Sequence, residues 1–142
     1  MPPSARLKGF KFVLTLIGIY HLALGLLPFV PTDFAARLVS ALFGMTIEVT
    51  PQLHYVARLM GAYALIFGVV TLIVASQPDR YRAFTPVILA LYAVRIVNRI
   101  LFVVQFMNAF QTTAFRAWLE VFLLAAFAVA VFLLRPREQV AG

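Results

Sequence analysis

Seven polar side chains sit inside otherwise apolar stretches of this chain: His21, Arg58, Arg95, Asn98, Arg99, Arg116 and Glu120. A charged group at a membrane-helix centre costs roughly 2.5–3.5 kcal/mol on insertion scales, so it persists only when paired, hydrated or reaching an interface. Glu120 is the one carboxylate among the seven. Its chemistry is that of a salt-bridge partner for Arg58 or Arg99 that fixes helix register, or of a proton acceptor or cation contact. Arg58, Arg95 and Arg99 together exceed what one carboxylate neutralises. That surplus favours an anionic or carbonyl-bearing ligand over a cationic one. Plainer roles exist for each: Arg95 can snorkel or donate to backbone carbonyls, and His21 can be a hydrogen-bonded packing residue.

Spacing draws these residues together. Arg95, Asn98 and Arg99 stand at i, i+3 and i+4 and share one helix face, with Tyr92 and Phe102 beside them. His21 lies between Gly18 and Gly25, and Glu120 follows Arg116 by four residues, the poorer order for an ion pair. At about 1.5 Å per residue, Arg58 falls about one turn from its helix end, His21 and Glu120 about two, and Asn98 and Arg99 two to three, all in the same half of a bilayer, with Arg95 near the midplane. The expected ligand-binding set is therefore His21, Arg58, Asn98, Arg99 and Glu120, with Tyr92, Arg95 and Arg116 as a secondary set. No catalytic residue is identified; proton transfer by Glu120 or His21 is the enzymatic alternative. No cofactor is implied. With 0 cysteines and 2 histidines, a metal site is not expected, and haem ligation by His21 and His54 would need two residues about 10 Å apart along the membrane normal.

The elements that must position these groups are membrane helices. The 142 residues are 63% hydrophobic and 12% charged, with a mean hydropathy of +0.97. A soluble domain carries about 25% charged residues, so lipid is the solvent that suits this chain. Four apolar runs, about 12–30, 51–76, 86–107 and 113–134, give a single membrane domain, an all-α bundle of four transmembrane helices. Thr50-Pro51 and Thr85-Pro86 are start signals, an N-cap followed by proline at the first helical position. Pro28 and Pro31 end the first span, and Thr32 or Asp33 can cap a short amphipathic helix over 32–43 suited to the membrane surface. This connection is long for a bundle, as a functional loop or a lid over the bundle mouth would be. Ala57, Gly61, Ala64 and Gly68 form a small-residue stripe for close helix packing. The basic start and first apolar run also fit a signal peptide, but Tyr20 and His21 interrupt the apolar core and Phe34 precedes Ala35-Ala36, so an uncleaved helix is expected.

The formal charge of +7 invites a nucleic-acid reading, and its placement argues against one. Arg6, Lys8 and Lys11, then Arg80 and Arg82, then Arg135 and Arg137 occupy one set of connections, whereas the opposite set holds only Arg37. This is the positive-inside pattern, and it predicts both termini in the cytoplasm of a bacterial inner membrane.

Arg58-Leu59-Met60-Gly61, continuing through Ala64-Leu65 to Gly68, with Arg99 on the third span and Glu120 early in the fourth, resembles the DoxX-like group of small bacterial membrane proteins. The resemblance covers nearly the whole chain. It implies a four-helix bundle, and a role as a quinone-linked subunit or as a membrane partner or assembly factor. The lack of cysteine departs from any sulfur-redox role, and the long outer loop has no counterpart. The residues and the resemblance together lead to one expectation: a bundle with an outward-facing intramembrane pocket for a lipid or quinone, acting as an accessory component. A structural subunit within a larger complex or homo-oligomer is the other non-enzymatic reading.

Overall fold

The computed structural model describes residues 3–136, so Arg137 lies outside the described residues. The described chain is helical, in the order α1 (Pro3–Leu26), a 3-10 turn (Leu27–Phe29), α2 (Thr32–Phe43), α3 (Pro51–Ser76), α4 (Thr85–Leu101), α5 (Val103–Phe110) and α6 (Ala114–Leu134). Four stretches are long and apolar enough to cross a membrane: Ser4–Phe29, Pro51–Ser76, Arg82–Leu101 and Ala114–Leu134. This is the architecture of a multi-pass helical membrane protein. Phe12, Ile66, Val94 and Phe122 each expose over 60% of their surface, an arrangement that water would penalise and lipid would not.

Start signals act unequally. Thr50 caps α3 through its hydroxyl, which accepts from Leu53 N at 3.1 Å, and Pro51 opens the helix. Thr85 does not cap: α4 already includes it, and its hydroxyl is buried without a partner. Neither Thr32 nor Asp33 caps α2, whose N-cap is Pro31. The helix over 32–43 is present, and Gly44 ends it in the left-handed conformation, φ 60°. Helix α1 starts nine residues before the expected Phe12 (12 − 3 = 9). Ala5, Arg6, Leu7 and Lys8 are good helix formers, and Arg6 donates to Leu133 O at 2.6 Å.

The largest departure is in the third span. The apolar run over 86–107 is two helices, broken at Phe102 (φ −113°, ψ 22°). No proline or glycine lies between Val87 and Phe110 to announce it.

Helix α1 is central, with α3 against one side and α6 against another, and α4 packs on α6. The antiparallel α1–α3 contact is set by two glycine pairs. A Cβ on Gly61 would stand 2.8 Å from Gly25 O, and one on Gly68 would stand 2.9 Å from Gly18 O. Backbones approach this closely only where no side chain intervenes, which is how dispersion joins helices in lipid. Phe10, Leu14 and Ile17 of α1, Val74 of α3, Ile88 and Tyr92 of α4 and Val131 of α6 are all but fully buried. This core lies toward the end where Arg6, Lys11, Arg80, Arg82 and Arg135 gather. There Lys11 donates to Ser76 O at 3.4 Å, so basic side chains serve open helix carbonyls. The other half of the bundle is looser, and α2 and α5 bury no residue.

Candidate functional site

Packing of α4 on α6 brings Arg99 to Glu120. Arg99 Nη2 donates to Glu120 Oε2 at 2.6 Å, and Arg95 Nη2 lies 4.0 Å from Glu120 Oε1. The break at Phe102 falls between Arg99 and Phe106, and Phe106 folds its ring over the guanidinium with the centroid 3.4 Å from Cζ. A cation is thus held by a carboxylate at its edge and an aromatic face above.

Arg95 has a second partner. Its Nη1 lies 3.0 Å from His21 Nε2, while His21 Nδ1 lies 2.8 Å from Ile17 O. A carbonyl oxygen only accepts, so Nδ1 carries the hydrogen and Nε2 accepts from the guanidinium. His21 is 3% exposed and is fixed edge-on against Phe67 at 4.6 Å and Tyr92 at 6.1 Å. The four side chains form a chain across three helices: His21, Arg95, Glu120, Arg99.

A cleft of about 400 Å³ opens over this chain. Arg95, Asn98, Arg99, Gln105 and Glu120 line it with polar groups, and Phe102, Phe106, Phe110 and Leu124 supply apolar wall. A second cleft, of about 280 Å³, lies on the other side of Glu120, with Tyr20, Phe43, Met45 and Arg116 on its walls. Phe106, Glu120 and Leu124 border both. Glu120 therefore stands in the partition between two cavities.

Of the residues expected to form the site, Asn98, Arg99 and Glu120 meet in the first cleft together with Arg95. His21 reaches it only through Arg95. Arg58 is elsewhere: α3 packs on α1 and not on the α4–α6 pair, and Arg58 Nε donates to Pro28 O at 3.5 Å, exposed. Of the two partners expected for Glu120, the structure has Arg99. Tyr92 does not line the cleft. It is 1% exposed in the core, with its hydroxyl unpartnered. Arg116 lies in the second cleft, its guanidinium against Gly44, where any Cβ would collide with it. The segment 32–50 overlies that second cleft through Leu42, Phe43 and Met45, not the first.

Gln105, Phe106, Ala109, Phe110 and Leu124 also line the cleft and went unread in the sequence. Gln105 had a signal, being the sole polar side chain between Arg99 and Asn108. Phe106 had none, because its place over Arg99 follows from the break at Phe102. Among the described residues no three His, Asp or Glu side chains gather as a metal site would require.

No protein-family model, curated protein or solved structure matches the chain. The likeness to the DoxX-like group therefore stands on the residues quoted for it, and the site must be read from its own chemistry.

Proposed function

We propose that the chain is a polytopic protein of the bacterial inner membrane, with both termini in the cytoplasm, that binds the head of an amphiphile in the cleft beside Glu120. The observation that carries this reading is the convergence of two arginines on one carboxylate under an aromatic wall. Glu120 neutralises one guanidinium. The other positive charge, with the Asn98 and Gln105 amides, leaves donors to spare for acceptor oxygens. Ligand sites of this kind are mostly apolar walls with a few placed polar groups. A lipid or a quinone, with an acidic or carbonyl head and an apolar body, fits both parts.

Membrane placement is supported by the four apolar helices and by the basic end of the bundle, which by the positive-inside rule faces the cytoplasm. The clefts then open in the outer half. Helix α2, with Phe34 and Leu42 exposed beside Asp33 and Arg37, suits the outer interface. Both ring nitrogens of His21 and both oxygens of Glu120 face partners, which favours binding over proton transfer. An accessory role is what the resemblance implies.

The test is mass spectrometry of what the protein retains when purified from its own membrane in mild detergent. An acid- or carbonyl-headed amphiphile should be retained near one per chain, and Arg99→Ala and Asn98→Leu should both lose it. The same bulk lipid in all three samples contradicts the proposal. A protein subunit retained through the cleft would favour the assembly reading instead.

A further inference from the structure

Arg58 is left over by the cleft at Glu120. It is a cation inside an apolar helix, exposed, with no carboxylate within 4.0 Å among the described residues and a single 3.5 Å contact to the carbonyl of Pro28. That carbonyl's residue is itself the wall of a third cavity.

This cavity, of about 270 Å³, lies between α2, the 3-10 turn, the start of α3 and the non-helical segment 44–50. Leu27, Val30, Ala36, Val39, Ile47 and Leu53 make it almost wholly apolar. Its polar lining is Thr32 and His54, whose Oγ1 and Nδ1 stand 3.5 Å apart. His54 precedes Arg58 by four residues and so shares its helix face. Ala57, next to Arg58, lines the slot as well. An apolar slot thus has a cationic rim, and of its lining residues only Phe110 also borders the Glu120 cleft.

We propose that this slot holds one acyl chain of an anionic glycerophospholipid, with its phosphate on Arg58. The planar guanidinium offers parallel donors that match phosphate oxygens, which an ammonium does not. Lipid phosphate is also the anion that every surrounding leaflet supplies at the level of a helix end. The ring nitrogen of His54 and the hydroxyl of Thr32 lie between head and tail, where glycerol and ester oxygens would stand. Helix α2 closes the slot without burying a residue of its own, so an acyl chain fills what would otherwise be an uncovered apolar face under it. The proposal rests on the membrane reading above and not on ligand binding at Glu120.

The experiment uses the full chain, stripped of lipid in detergent and titrated with phosphatidylglycerol, with phosphatidylcholine of the same acyl chains, and with oleate. Native mass spectrometry counts what is held. One phosphatidylglycerol should be retained about tenfold more tightly than phosphatidylcholine, because the choline cation offsets the phosphate charge that Arg58 meets. Arg58→Gln should erase that preference. Ala36→Phe fills the slot from α2, away from the packed core, and should lower retention of both lipids at unchanged helix content. The titrations are repeated in Asn98→Leu protein, whose Glu120 cleft is disabled, and the effect of Arg58→Gln should persist there, which separates failure here from failure there. In that background, equal retention of the two phospholipids, a preference that survives Arg58→Gln, or retention unchanged by Ala36→Phe overturns the proposal. So does oleate outcompeting phosphatidylglycerol, or a dimer that Ala36→Phe abolishes, since the occupant would then be a fatty acid or a second copy.

Discussion

Replacing Glu120 with glutamine and Arg99 with glutamine, singly and together, tests how the polar chain is wired. Both side chains are about four-fifths buried, 18% and 20% exposed, and their contact is 2.6 Å. Breaking a buried pair costs about 3–5 kcal/mol, most of it from the stranded partner. Here solvent still reaches part of each group, so Glu120→Gln should fall near the lower end, about 3 kcal/mol. It strands two cations at once. Arg99→Gln strands none, because Arg95 already lies 4.0 Å from the other carboxylate oxygen and can close on it. Its cost should be smaller, about 1–2 kcal/mol, close to one lost charged hydrogen bond. The double variant should recover about 1–2 kcal/mol of the sum, since residues in one network couple by that order. Unfolding in mixed micelles, followed by far-UV circular dichroism against increasing dodecyl sulfate, measures all three. Additive losses within about 0.5 kcal/mol would show that the pair does not exist as drawn. Equal losses for the two single changes would remove Arg95 from the chain.

Two further outcomes follow from packing and charge. Gly25→Ala and Gly61→Ala each put a Cβ 2.8 Å from the other helix's backbone and should cost about 1–3 kcal/mol in the same assay, while Gly9→Ala, 3.4 Å from the flexible tip of Leu134, should be near neutral. Cysteines introduced at Ser40 and Gln111 should label from outside intact cells and one at Gln77 only after permeabilisation; labelling of Gln77 from outside would invert the orientation.

How much of this was legible in the sequence depended on whether the signal was local. Thr50-Pro51 sets a helix start by its own hydroxyl and ring, and α3 runs over the expected 51–76. The spacing of Gly61 and Gly68 foretold a close neighbour, though only the structure names it as α1 through Gly18 and Gly25. Arg95, Asn98 and Arg99 share a face because i, i+3 and i+4 always do, and that face meets Glu120. What failed was whatever required knowing which helices touch. Arg58 has the right depth and the wrong neighbours, since α3 packs on α1 whereas α4 packs on α6. Tyr92 sits one turn before Arg95 on the third span, yet points into the core. The break at Phe102 is the hardest case: the run from Ile100 to Val104 is apolar and without punctuation, so nothing there betrays the bend beside Phe106.

The central claim is that the cleft beside Glu120 holds an amphiphile's head. A structure of the wild-type protein in nanodiscs made from its native lipid tests it most directly. The account predicts density in the roughly 400 Å³ cleft, its head in contact with Arg95 or Arg99 and its body along Phe102 and Phe110. A cleft filled by water alone, or by a side chain of the protein itself, would contradict it.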